Sequence, residues 1–302
     1  MARDENVKIF QDTEERVKKD PGLQEAVKYS VAEQVLIPEM MEVTDLMPEL
    51  IQNRDRYEQD AEIIVSKKRS YEAAAGYRGE WVCVHNFASA TNPGGGVTKG
   101  SSAQEECLCR CSTLYFCLNT KEMWAGFYSP HRYAQDPIHN DDCIYTPEVI
   151  VFKSDTASPS PLPEKDWYSV NVITCAAPNL RLLPANGMNP GDGNKTVKMT
   201  RAQQQALHEK RLTRILDVAV AGGNEVVILG AFGCGAFEND KRDRRNRTSE
   251  QANGRNIGQP EPMARKERIE GMADERSGRC RLLRTAVAPQ VRGYRPLFSR
   301  AS

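Results

Sequence analysis

Gly94-Gly95-Gly96 and Gln104-Glu105-Glu106 are separated by seven residues, and together they carry the strongest chemical signal in the chain. Three glycines after an apolar run let a backbone approach a ligand with no Cβ in the way. Two carboxylates at the start of the following helix supply acceptors, and a carboxyl there can also supply a proton. The helix is expected to begin near Ser102, so its first-turn amides can face an anion. Adjacent helix residues point about 100° apart and do not face each other. Glu105 and Glu106 are therefore expected to touch different atoms of one ligand rather than form a carboxylate dyad. Ser102-Ala103-Gln104-Glu105 also reads as a capping box, in which the acid stabilises the helix in any case.

The second motif is Gly230-Ala231-Phe232-Gly233-Cys234-Gly235-Ala236-Phe237, directly after an apolar strand. A Gly-rich loop at a strand's C-terminal end can form a backbone nest for phosphate oxygens. Its aromatics can stack on a base or pack on a ribose, or the loop can be an ordinary turn. It lacks the Lys-Ser/Thr pair of a P-loop, which argues against nucleotide hydrolysis. Cys107, Cys109 and Cys111 are spaced by two on a helix, point in different directions and do not make the paired spacing of a zinc site. No metal or organic cofactor is expected. His85 on a strand and His208 on a helix read as structural, and His131 and His139 fall in a loop without an assigned role. No Cys–His spacing suggests a nucleophile system.

The elements that must hold these motifs follow from periodicity. Residues 4–19 and 23–47 read as amphipathic helices broken at Pro21-Gly22, 62–66 as a short strand, and 71–75 as a helical turn. Residues 81–87 form a buried strand that runs into the glycines. Residues 103–119 read as one helix with Cys107, Cys111, Leu114, Tyr115 and Leu118 on its inner face. A loop covers 129–147. Strands are expected at 148–152, 169–174 and 225–229, and a helix at 196–221. Continuous apolar strands alternating with helices indicate a sheet covered on both faces.

The chain has 302 residues, 39% of them apolar, enough for a sizeable core. No run approaches the roughly 18 apolar residues of a membrane span, and the charged N-terminus predicts no secretory signal. Nine cysteines in a chain of this length suit reduced thiols, so a cytoplasmic or nuclear setting is expected. The net charge of zero hides an asymmetry. Residues 241–302 hold 16 Lys and Arg against 7 Asp and Glu, a surplus of nine positive charges matched by nine negative ones upstream. Fourteen of those 16 are Arg, and large apolar residues number only 11 of the 62. That composition predicts a mostly disordered tail. Without aromatic interleaving or a known motif, it gives little support to nucleic-acid binding.

The two Gly-rich motifs resemble those of microbial-type poly(ADP-ribose) glycohydrolases, which carry a Gly-Gly-Gly, six to eight residues, Gln-Glu-Glu signature on a macrodomain-like fold. The spacer here is Val97-Thr98-Lys99-Gly100-Ser101-Ser102-Ala103. Asn86-Phe87-Ala88-Ser89-Ala90, Ser112-Thr113-Leu114-Tyr115 and Ala176-Ala177-Pro178-Asn179 are also similar to the family, over roughly residues 10–239. The resemblance implies an α/β fold, three-layer α/β/α with a mixed central sheet. With the patterning along the chain, the expected division is an N-terminal helical extension (1–60), a macrodomain-like core (61–240) and the Arg-rich tail (241–302), the resemblance itself beginning near residue 10. The resemblance also implies hydrolysis of ribose–ribose bonds in poly(ADP-ribose), free or on an ADP-ribosylated protein, with no membrane partner. The alternative is a module that binds ADP-ribose without turnover.

By the same resemblance Glu106 is the general acid and then activates the attacking water, while Glu105 holds ribose hydroxyls. Gly94, Gly95, Gly96 and Val97 cradle the ADP-ribose from one side. Gly233, Cys234, Gly235 and Ala236 hold the diphosphate, Phe237 packs on a sugar or base, and Asn92 is a further ribose contact. No second, separated carboxylate is evident, so the two-carboxylate glycosidase scheme does not apply directly. A helix N-terminus favours an ionised carboxylate, so burial and substrate phosphates must raise the pKa of Glu106 if it is to act as an acid. After Asp240 the family continues with an amphipathic helix and a strand. The Arg-rich tail stands there instead, which predicts an open flank beside strand 225–229.

Overall fold

The computed structural model describes residues 2–46, 62–187, 190–239 and 282–287. Two helices lead, α1 (Ala2–Lys19) and α2 (Pro21–Ala32). The break between them follows from Asp20, whose carboxylate caps α2 by accepting from the Leu23 amide at 3.0 Å, with Pro21 in the first turn. Then come β1 (Val35–Ile37), α3 (Val43–Leu46), β2 (Ile63–Ser66), α4 (Ser70–Ala74) and β3 (Val82–Ala88). After the glycines lie α5 (Gln104–Cys111), α6 (Leu114–Leu118) and α7 (Lys121–Met123), which passes through a π turn into α8 (Ser129–Ala134). β4 (Cys143–Val151), β5 (Tyr168–Ala176), α9 (Arg201–Ala221), β6 (Val226–Ile228) and β7 (Leu282–Val287) complete the described elements.

The sheet order is β1-β4-β5-β3-β6-β7-β2. β3 lies between β5 and β6 and is parallel to both; the outer pairings are antiparallel. Alternation along β3 sends Val82 and Val84 to one face, with Leu108, Leu114 and Phe127, and Cys83 to the other, with Ile215 and Val218 of α9. The result is the expected three-layer α/β/α arrangement with a mixed sheet. The C-terminal ends of β3, β5 and β6 open together into the loops 89–103, 177–200 and 229–239, where open α/β sheets place their ligands.

Helix α1 packs into this body. Phe10 is buried edge-on against Tyr115 at 4.9 Å, and the Thr13 hydroxyl donates to Arg110 O at 2.6 Å. The buried Lys153 ammonium donates to Ile9 O and the Thr13 hydroxyl, at 2.8 and 2.7 Å.

Several elements differ from the sequence expectation. The helix expected over 23–47 ends at Ala32, because Val35-Leu36-Ile37 before Pro38 prefers extended backbone and pairs with β4. The single helix expected over 103–119 breaks at Ser112-Thr113. There Thr113 exchanges two hydrogen bonds with Ile150, its amide to Ile150 O and the Ile150 amide to its hydroxyl, each 3.0 Å. The loop expected over 129–147 contains α8 and the first half of β4. A bulge between Thr146 and Val149 lets the strand carry Pro147, which reads as a breaker in sequence. The helix expected from 196 begins at Arg201, where Thr200 and Gln203 form a capping box.

The open flank beside 225–229 is also corrected. β7 pairs with β6 on that edge, Val227 opposite Thr285 and Ile228 opposite Arg284. Leu282-Leu283-Arg284-Thr285-Ala286-Val287 is a short apolar stretch that an average over 62 residues conceals. The rest of 241–302, and so most of the disorder expectation, lies outside the described residues.

Candidate active site

The strand–loop–helix unit β3–α5 is tied together by Gln104. The register of β3 with β6 ends at Val84 and Ile228. Beyond it the Gln104 amide takes over, accepting from the Phe87 amide at 2.9 Å and donating to His85 O at 2.8 Å. Gln104 Nε2 also reaches Ser70 Oγ at 3.1 Å. The glutamine of the motif therefore docks the start of α5 on the central strand, which points the next two residues into the loop cluster.

Glu105 and Glu106 are 3% and 7% exposed. Glu105 is clamped at both oxygens: Oε2 accepts from the Ser89 amide at 2.8 Å and Oε1 from Asn86 Nδ2 at 3.3 Å. Glu106 Oε1 accepts from the Gly96 amide at 2.9 Å, while Oε2 is buried without a hydrogen-bond partner. The two side chains leave the helix in different directions yet converge on one point. A Cβ on Gly95 would sit 2.5 Å from Glu106 Oε1 and 3.1 Å from Glu105 Oε2. Burial pushes Glu106 above the ordinary carboxylate range against the pull of the Gly96 amide. It pushes Glu105 well above that range, and the neighbouring Glu106 adds to the effect. Burial thus outweighs the helix N-terminus.

The capping box expected at Ser102 is absent. The N-cap of α5 is Ala103, with no side-chain cap, because Glu105 turns instead to Ser89 and Asn86. Of the three glycines, Gly94 and Gly96 are buried and Gly95 is half-buried. Gly94 and Gly95 have φ of +65° and +57°, and a Cβ on Gly94 would meet Tyr115 at 2.8 Å. Val97 has its side chain in the core, so only its backbone can reach a ligand. Asn92 accepts at Oδ1 from Arg132 Nη2, and Arg132 Nε also donates to Thr91 O at 2.6 Å.

The second loop lies beside the first, on the neighbouring strand. Gly233 has φ +76°, and a Cβ there would sit 2.7 Å from the Asn239 amide group. Gly235 and Ala236 are exposed, and a Cβ on Gly235 would meet nothing within 4 Å. Cys234 and Phe237 are half-buried, Phe237 with its carbonyl accepting from the Leu180 amide at 2.9 Å. The loop after β5 joins the two. Asp192 accepts from Thr91 Oγ1 at 3.1 Å and from Asn179 Nδ2 at 2.7 Å, and faces His139 Nε2 at 3.6 Å.

Sequence reasoning placed Asn86, Ser89 and Asn179 in the family-like segments without giving them a role, and it missed Asp192. The role of Asn86 could have been found, since alternation from Val82 and Val84 sends it toward α5. Ser89 reaches Glu105 through its backbone amide, while its hydroxyl accepts from the Thr91 and Asn92 amides at 3.3 and 3.2 Å and shapes the turn that follows. His85 is buried with its pKa pushed down to about 3 by burial, and packs on Phe232 at 4.5 Å. The sulfurs of Cys107, Cys109 and Cys111 go three ways: Cys107 accepts from Arg69 Nη2 at 2.8 Å, Cys111 approaches Ser154 O at 3.4 Å, and Cys109 lies beside Gly94. Among the described residues no three His, Cys, Asp or Glu side chains are grouped to hold a metal ion, and no helix is long and apolar enough to cross a membrane.

The family model of the microbial-type PARG catalytic domain matches residues 6–154. No curated protein matches the chain. Among solved structures, the poly(ADP-ribose) glycohydrolase of Thermomonospora curvata is 28% identical with a TM-score of 0.64, over 79% of this chain and 83% of that one. The same enzyme bound to the inhibitor ADP-HPD matches at 29% and 0.61, over the same shares. The poly(ADP-ribose) glycohydrolase of Deinococcus radiodurans in complex with ADP-ribose is 30% identical with a TM-score of 0.57, over 71% of this chain and 79% of that one.

Proposed function

The chain belongs to the microbial-type poly(ADP-ribose) glycohydrolases, glycosidases that hydrolyse poly(ADP-ribose), and from that premise we propose that Glu106 is its general acid and base. The observation that carries this role is the division of labour between its oxygens. Oε1 is anchored on the Gly96 amide beside Gly95, while Oε2 is buried and unpartnered. A carboxyl raised by burial holds a proton at neutral pH more readily than an exposed one. That proton passes to the glycosidic oxygen as the bond to the anomeric carbon breaks. The carboxylate left behind then takes a proton from the water that adds to the oxocarbenium-like carbon. One residue thus serves both half-steps, and no separated second carboxylate is needed.

Glu105, held by Ser89 and Asn86, presents its remaining lone pairs to ribose hydroxyls. Gly95 offers the close backbone approach on one side of the ADP-ribose. Gly233, Cys234, Gly235 and Ala236 meet the diphosphate, and Phe237 packs on a sugar or base, with Asn92 a further ribose contact. The substrate is the polymer, free or carried on an ADP-ribosylated protein. Cys83, Cys107, Cys109, Cys111, Cys117, Cys143 and Cys175 are buried free thiols, which supports a reducing cytoplasmic or nuclear setting.

The test is release of ADP-ribose from poly(ADP-ribose) by purified protein and by Glu106→Gln. The glutamine keeps the size and cannot exchange the proton, so turnover falls by about 10²–10⁴-fold while ADP-ribose binding persists. Turnover within a few-fold of the parent removes Glu106 from this role. ADP-ribose binding by the parent with no turnover identifies a binding module instead.

A further inference from the structure

The loop assigned above to the diphosphate is held from behind by one buried side chain, Asn239. Its amide nitrogen donates to Pro178 O at 2.7 Å, Gly233 O at 3.0 Å and Phe237 O at 3.2 Å, and its backbone amide donates to Gly233 O at 3.1 Å. Three carbonyls therefore compete for two amide hydrogens, and this fixes which way the side chain faces. Its oxygen must look the other way, toward α9, where His208 Nε2 lies 2.9 Å from it. His208 thus carries its hydrogen on Nε2 and donates to Asn239. The left-handed Gly233 leaves the space that the amide occupies.

We infer that Asn239 and His208 are positioning residues for the substrate diphosphate, a role that rests on the function proposed above. Neither lies among the groups assigned to the ligand. They act by setting the spacing between Gly233 and Phe237, the two ends of the segment whose middle, Gly235, faces open space. Asn239 also ties that segment to Pro178, so the loops after β5 and β6 keep one mutual position. The chemistry at Glu106 belongs to the other loop. The pair therefore governs how tightly substrate is held and leaves the rate of the bound complex alone.

Asn239→Asp changes one atom and places an anionic oxygen against three carbonyls. His208→Phe removes the donor and keeps the ring, and His208→Gln restores a donor of similar reach. Two quantities are read for the parent and each variant: KM and kcat on poly(ADP-ribose), and calorimetric Kd for ADP-ribose. Asn239→Asp is expected to raise KM and Kd together by at least about tenfold with kcat within about twofold. His208→Phe raises both by about three- to tenfold, and His208→Gln returns them toward the parent. A merely structural role would lower kcat through the fraction of folded enzyme and leave KM unmoved. Unchanged KM and Kd in Asn239→Asp and His208→Phe, or a fall in kcat alone, overturns the inference. Should Asn239→Asp fail to fold, the two His208 variants decide by the same criteria. A parent protein that does not bind ADP-ribose overturns the proposed function, and this inference with it.

Discussion

The two Gly-rich loops leave neighbouring parallel strands in the same direction, and their glycines serve opposite ends. In the loop after β3 the missing Cβ atoms make room for the protein itself. Gly95 leaves space for the Glu105 and Glu106 carboxylates and Gly94 for Tyr115, and the Gly96 amide is spent on Glu106. In the loop after β6, Gly233 has the same internal use, making way for Asn239, but Gly235 faces nothing within 4 Å. A glycine crowded by its own protein preserves a geometry, whereas an exposed glycine with an ordinary φ keeps a surface clear for something else. The first loop holds the Glu106 carboxyl in place, and the second leaves the surface clear that the proposed function gives to the diphosphate.

The sharpest way to break that comparison is Gly95→Ala. A side chain at φ +57° costs about 1–3 kcal/mol, and the added methyl displaces the Glu106 carboxylate. Turnover should fall by about 10²-fold, as for a misplacement of about 1 Å at a reacting centre, and the melting temperature should drop. Wild-type turnover in this variant would show that the carboxylates need no such exclusion. Gly235→Val tests the other loop. Because φ there is not in the left-handed region, the backbone accepts the change and melting should stay within about 0.5 kcal/mol of the parent. ADP-ribose affinity should weaken by at least about tenfold, roughly 1.4 kcal/mol, and calorimetry showing unchanged affinity would place the ligand elsewhere.

The smallest expected effect sharpens the comparison from the side of stability. Glu106 has its pKa raised in the folded protein above the ordinary 4.5. Such a group contributes fully to stability below the unfolded value and loses that contribution as pH rises through the folded one. At pH 7 to 8 the first loop therefore carries a stability penalty that Glu106→Gln relieves. Its melting temperature should lie above the parent's by about 2–4 °C for each kcal/mol relieved, and the gap should close by pH 4.5. Parallel melting curves at the two pH values decide, and a gap that does not depend on pH counts against a raised Glu106.

The juxtaposition of glycines and carboxylates was legible where one backbone unit carried it. An apolar strand, three glycines and a carboxylate pair lie within 25 residues and needed only local rules. The role of Gln104 was not legible, because it depends on β3 outrunning β6 by a few residues, a property of two strands far apart in sequence. The false capping box at Ser102 shows the same limit. Local spacing offered Glu105 to the helix, and Asn86 and Ser89 claimed it through the fold. Asp192 and Asn239 escaped notice because their partners come from loops that meet only once the sheet is assembled. The break at Ser112-Thr113 likewise reflects pairing with Ile150, which no helical period reveals.

The docking of α1 has a consequence for the order in which the molecule is made. Thr13 is made 97 residues before Arg110, and Ile9 144 before Lys153. At roughly 5–20 residues per second that is a delay of about 5–30 s. Most of the stability of a helix in a protein comes from packing its apolar face, so through that interval α1 is an amphipathic segment with an unburied phenylalanine. Asn6 then closes on Gly100 O at 3.1 Å, and Gly100 itself leaves no room for a side chain against Arg3 O. Helix α1 is thus made well before its seat exists, and its arrival latches the far end of the glycine loop that faces the Glu105 and Glu106 carboxylates.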